Sequence, residues 1–284
     1  MNQALLAGSL VVAAQLYVSG NRGLVRPRSA WRHAAFASAL VLVAVALCDP
    51  FDRIADESLA AHMLQHVLLM SFVPPLLVLA APWTPMWRAL PLKMRRRTAR
   101  RALALRRLTA PWPAWLLFNT DLALWHLPWL YDLTLRSEAA HYAEHVSFVL
   151  FGTLFWLAVV RLSPLPAAAY VLACAAAGWL LALVLALAPT PLYPAYAELP
   201  QRLYGLSALA DQELAGGVML GIGGIPFSVA VFVLLYRWLG DETRKAARQT
   251  AASRATTMIA ADRFATSVVV MTPSKAAAAE RTLS

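Results

Sequence analysis

Charge is scarce in this chain and sulfur scarcer. Of its 284 residues 14% are Asp, Glu, Lys or Arg while 60% are hydrophobic, a balance that excludes a soluble domain with one core and marks an integral membrane protein. Its two cysteines, Cys48 and Cys174, lie in separate apolar runs without CxxC spacing, so neither a disulfide framework nor a dithiol redox motif is expected. A Gly-rich phosphate loop, a nucleophile elbow and HExxH are all missing: HMLQH lacks a Glu after its first His, and HYAEH carries its Glu in the wrong place. Hydrolysis therefore has no support, and no enzyme activity is expected. Acidic residues are also few, which leaves a net charge of +10. In a soluble chain that excess would suggest nucleic acid. Here the basic residues sit between apolar runs, where they set membrane orientation, and no nucleic-acid partner is expected.

What is present is apolar length. Runs near the roughly 20 residues a spanning helix needs fall at 3–19, 31–48, 61–82, 111–129, 139–160, 166–188 and 212–236. The expected fold is thus all-α, a polytopic seven-helix transmembrane bundle occupying residues 1–240, with a mobile basic cytoplasmic tail at 241–284. No Lys or Arg precedes the first run, and Arg22, Arg26, Arg28 and Arg32 follow it, the flank of a retained segment with its N-terminus outside. Loops 1, 3 and 5 and the C-terminus are then cytoplasmic, and they carry 22 of the 25 Lys and Arg; Arg53, Arg136 and Arg202 are the exceptions. The basic amphipathic segment 92–108 suits the anionic lipids of the inner leaflet. Pro74 and Pro75 should kink the third span. The glycines between Gly216 and Gly224 allow close helix contact or a break near Pro226. The loop at 189–210, with Tyr193, Tyr196 and Tyr204, suits interfacial packing or partner contact. No internal repeat is found.

Placed on that topology, the histidines gather at one face. His62 and His66 open the third span, His126 closes the fourth, and His141 and His145 open the fifth; His33 alone lies on the inner side. Two residues four apart stand one turn apart on one helical face, so each HxxxH pair can offer two imidazoles to one metal, and copper, zinc and haem iron all accept them. Met63 and Met70 either add thioether ligands or pack. The carboxylates have double readings. Asp121 is either a partner or proton carrier for the histidines or a polar contact between helices, and Glu144 either orients a neighbouring imidazole or faces the headgroups. Asp211 is either a ligand or a helix N-cap.

In order along the chain, HMLQHVLLM with PPLLVLAAP, WHLPWLYD, HYAEHVSFVLFGTLFW and DQELAGGVM resemble the CtaG family of multi-span bacterial proteins that assist assembly of a caa-type cytochrome c oxidase. The chain departs from the family pattern after Met219, where LGIGGIP replaces an expected aromatic. Carried over position by position, the family's polar pattern falls on His62, Gln65, His66, His126, His141, Glu144, His145, Asp211 and Gln212. The resemblance implies a bacterial inner-membrane assembly factor that holds or relays copper at the outer face to a nascent oxidase subunit. A metal- or haem-binding transporter or membrane oxidoreductase using the same histidines is the alternative.

Overall fold

The computed structural model describes residues 3–22, 24, 27–199 and 205–271, apart from the side chains of 100–106, 262 and 264–271. Arg26, Arg202, Tyr204 and the chain beyond Met271 lie outside the described residues. Among those described, every regular element is a helix, so the protein is an all-α membrane protein. Six helical stretches are long and apolar enough to cross a bilayer.

Helices α1 (Gln3–Asn21) and α2 (Ala30–Leu47) are followed by the short α3 (Phe51–Glu57) and then by α4 (Leu59–Val67). A π-helical turn, Leu68–Phe72, joins α4 to α5 (Val73–Ala80). Pro74 and Pro75, where a kink is expected, follow this turn. The prolines occupy the first turn of α5, where missing amide donors cost least, and the turn before them widens instead of breaking. Leu59–Ala80 thus stays one 22-residue stretch. Next come α6 (Trp83–Ala89) and α7 (Leu92–Leu105), the latter confirming a helix in the basic segment.

The fourth expected span is shorter than its apolar run. α8 (Pro111–Trp125) has 15 residues, about 22 Å, because the residue before Pro128 is pushed out of helical geometry. The chain turns at His126 and Leu127 into α9 (Pro128–Arg136). α10 (Glu138–Val159) and α11 (Pro164–Leu187) are full-length spans, followed by the single turn α12 (Pro194–Ala197), α13 (Ala208–Gly221) and α14 (Ile225–Met271). The seventh run is broken at residues 222–224. Gly216 is where α13 meets α11 most closely: a Cβ there would lie 2.7 Å from Ala182 O and Ala186 N.

Residues Met1–Leu234 form one compact unit and Leu235–Ser284 a second. In the second, residues expected as a tail continue α14, whose exposed surface carries the pairs Arg244–Asp241 and Lys245–Glu242.

A short pattern recurs three times in the first unit, against the expectation of no repeat. Each time a long helix is followed by a short one, then a serine, then a helix of the bundle. Ser58, Ser137 and Ser207 cap α4, α10 and α13 through the amides of Ala61, Ala140 and Ala210 at 3.3, 3.4 and 3.1 Å. Four residues after these serines stand His62, His141 and Asp211. Each of these residues therefore stands one turn inside a serine-capped helix.

Candidate metal centre

The two HxxxH pairs meet. α4 and α10 bring donor atoms of His62, His66, His141, Glu144 and His145 within 4.8 Å of one another. The His62 and His141 rings lie 5.2 Å apart and nearly parallel, the His66 and His145 rings 5.5 Å apart and nearly perpendicular. Burial is nearly complete: His62 and Glu144 are 0% exposed and His66 1%. The cluster is therefore enclosed by the protein itself.

Its roof is aromatic. Tyr131 of α9, Tyr193 and Tyr196 are buried; the Tyr131 and Tyr193 rings are 4.2 Å apart, and Tyr131 lies 5.3 Å from His62. Burial pushes the Tyr193 and Tyr196 hydroxyls above their ordinary range, so both are neutral. The side of the cluster at His145 borders an apolar groove of about 940 Å³ whose lining includes Leu6, Leu47, Tyr142, His145 and Val149.

The buried polar inventory tests the fit to a metal. His66 Nδ1, His141 Nε2, His145 Nε2 and both Glu144 oxygens lack hydrogen-bond partners, although Glu144 Oε2 comes within 3.5 Å of His66 Nε2. Buried polar atoms are normally satisfied, and a buried carboxylate without a cation is costly. His62 Nε2 and His66 Nε2 face each other at 2.8 Å, the separation of two nitrogens at right angles on an ion about 2.0 Å from each. Nitrogens on opposite sides of such an ion stand about 4.1 Å apart, so five donors within 4.8 Å reach one ion after shifts of a few tenths of an ångström. The set fits a metal of the imidazole-loving kind, with one negative charge to offset its own.

The remaining candidates are arranged around this set. His126 ends α8, buried, with Nδ1 2.8 Å from Leu122 O and Nε2 without a partner. A carbonyl accepts only, so Nδ1 carries the proton and Nε2 a bare lone pair. His126 is outside the group of five yet offers a donor in the same form. Asp121 accepts from Trp125 Nε1 of its own helix, and the same N–H is shared with Ser147 Oγ on α10, both at 2.9 Å. Gln65 points the other way from the histidines beside it, donating to Ala46 O at 2.7 Å and to Asp52 at 3.0 Å. Gln212 ties α13 to the end of α11 and the loop that follows it, donating to Leu185 O and accepting from Leu192 N. Met63 and Met70 are part of the apolar core.

Asp211 is a cap, but not of its own helix, whose cap is Ser207. Its carboxylate accepts from Ser58 Oγ at 2.8 Å and from the amides of Leu59 and Ala60 at 2.7 and 3.1 Å. It therefore holds the start of α4, three residues before His62, where a helix N-terminus favours an acidic group. The sequence reading missed a role at the site for Tyr196. Its hydroxyl lies 2.8 Å from His62 Nδ1, and a tyrosine-rich loop between spans was the one signal of it.

Comparison with known proteins agrees with this architecture. A family model described as cytochrome c oxidase caa3 assembly factor (Caa3_CtaG) matches residues 15–241, from α1 into α14 and across every residue of the cluster. Two uncharacterized mycobacterial proteins, one from Mycobacterium bovis and one from Mycobacterium tuberculosis, are each 23% identical over 265 residues, covering 87% of this chain and 40% of theirs. The chain thus spans about two fifths of the length of the curated relatives it matches. No solved structure matches it.

Proposed function

Because this chain belongs to the cytochrome c oxidase caa3 assembly factor family, we propose that it holds copper as cargo at the outer end of its bundle and passes it to a nascent oxidase subunit in the bacterial cytoplasmic membrane. One observation carries the reading: four imidazoles and a carboxylate from two helices, all buried but the half-buried His141, converge within 4.8 Å with several lone pairs unused. The residues bind and position; no covalent or redox step is assigned to them, and the role is non-catalytic.

Crowding supports a bare ion over haem, since a haem iron leaves two axial places for protein donors and five donors point here at one spot. Place supports delivery over transport. The donors stand in the first two turns of α4 and α10, whereas a transporter binds its substrate near the middle of the membrane. Within the group of five, His145 also lines the apolar groove, so its side is the one a membrane-embedded subunit can approach. Basic α7 is the element suited to anionic inner-leaflet lipid.

Metal analysis of the purified protein tests the binding, with about one copper per chain expected. Deleting the gene tests the role: active, copper-loaded oxidase should fall while its transcripts persist. Normal oxidase activity in a deletion strain without a paralogue would refute the assembly role.

A further inference from the structure

His62 is the most enclosed imidazole of the cluster, and both of its nitrogens are engaged: Nε2 faces His66 Nε2 at 2.8 Å, and Nδ1 lies 2.8 Å from the Tyr196 hydroxyl. That hydroxyl also lies 2.7 Å from Ala55 O. A hydroxyl has one hydrogen and a carbonyl has none. Were the hydrogen turned to His62, two oxygen lone pairs would face each other at 2.7 Å in a buried site. Turned to Ala55 O, it leaves the Tyr196 oxygen as an acceptor, and the contact with His62 is then Nδ1–H donating to it. A neutral imidazole protonated at Nδ1 carries its bare lone pair at Nε2, the atom aimed into the cluster. A phenolic hydroxyl keeps its hydrogen at neutral pH, so the one this scheme requires is present.

We propose that Tyr196 is a positioning residue of the metal site, its hydroxyl anchored on the Ala55 carbonyl and holding His62 in the Nδ1–H tautomer with Nε2 ready to ligate. This rests on the copper-binding reading for its function and on hydrogen-bond geometry alone for its tautomer. It also distinguishes the two histidines of α4. His66 Nδ1 has no partner, so in the metal-free protein its Nε2–H donates to His62 Nε2, and for both Nε2 atoms to ligate one ion His66 is the imidazole that must move its proton. His62 is the standing ligand and His66 the exchanging one. The anchor comes from two outer elements, α3 carrying Ala55 and α12 carrying Tyr196. A loop distant in sequence thereby sets the chemistry of a helix residue, as outer-shell partners of metal-bound histidines do elsewhere.

The test is nitrogen NMR on metal-free protein labelled with ¹⁵N-histidine, the His62 signals being identified by their loss in His62→Asn. Copper affinity is measured in parallel by competition with a chelator. His62 in the unaltered protein should be protonated at Nδ1. In Tyr196→Phe that tautomer should be lost or mixed, and copper affinity should fall about 10- to 100-fold. His62 protonated at Nε2 in the unaltered protein overturns the proposal without recourse to any variant. So does a Tyr196→Phe protein that keeps both tautomer and affinity. If the unaltered protein shows the stated tautomer and binds no copper, the copper reading falls and the tautomer assignment stands.

Discussion

The Glu144 carboxylate pulls stability and binding in opposite directions. It is 0% exposed with His66 Nε2 3.5 Å away, so its charge is costly to bury without a metal and would offset the charge of one that bound. Glu144→Gln keeps the shape and removes the charge. The metal-free variant should be at least as stable as the parent, because a neutral amide costs less to bury than an unpaired carboxylate. The thermal stabilisation by copper, about 2.7 kcal/mol at a hundredfold excess over Kd, should shrink. Melting curves with and without copper measure both; a metal-free variant that melts lower would show that protein groups alone satisfy the carboxylate. His66→Ala and His145→Ala should lose copper at similar protein yield. The four paired histidines could be read from sequence because i,i+4 spacing fixes a shared face whatever the rest of the fold does. Gln65, Asp211 and Gln212 could not be sorted in the same way. A polar residue in an apolar helix is either a ligand or a brace, and the partners that decide it lie 19, 153 and 27 residues away.

At the scale of helices, two neighbouring glycines give opposite expectations. A Cβ on Gly216 would press into the backbone of α11, whereas one on Gly217 would meet nothing within 4 Å. Gly216→Val should cost about 1–3 kcal/mol through overpacking, while Gly217→Ala should be neutral or gain up to about 1 kcal/mol of helix propensity. Equal melting temperatures for the two variants in detergent would contradict the close approach of α11 and α13. Asp211→Ala should cost about 2–4 kcal/mol, since it removes a charged acceptor from two amides and a hydroxyl, and it should weaken copper binding by loosening the first turn of α4. Helix identity followed from apolar run length, but helix ends did not. α8 stops at Trp125 within an apolar run that continues, because the turn before Pro128 prevails over hydropathy. The π turn before Pro74 leaves no mark on hydrophobic periodicity at all.

For the whole molecule, the split of 22 basic residues to 3 predicts that a reporter fused after Arg107 is cytoplasmic and one inserted near Leu199 periplasmic. Either result reversed would move the cluster to the other side of the membrane. The same run-length reading that expected seven spans met six long enough to cross, since α8 reaches only 15 residues. The threefold helix, short helix and serine pattern was too brief to register as a repeat until the caps were seen together. Its third copy offers Asp211 where the first two offer a histidine, and that aspartate secures the start of the first copy's inward helix. Order of synthesis gives this a meaning in time. Ser58 leaves the ribosome 153 residues ahead of the carboxylate it binds, a wait of about 8–30 s at common bacterial rates. Both histidine pairs are already made by then, but the helix bearing the first pair has yet to receive its clasp. A chain stopped before Asp211 keeps all five donors but lacks this clasp, so it should bind copper more weakly than the full chain in a chelator competition.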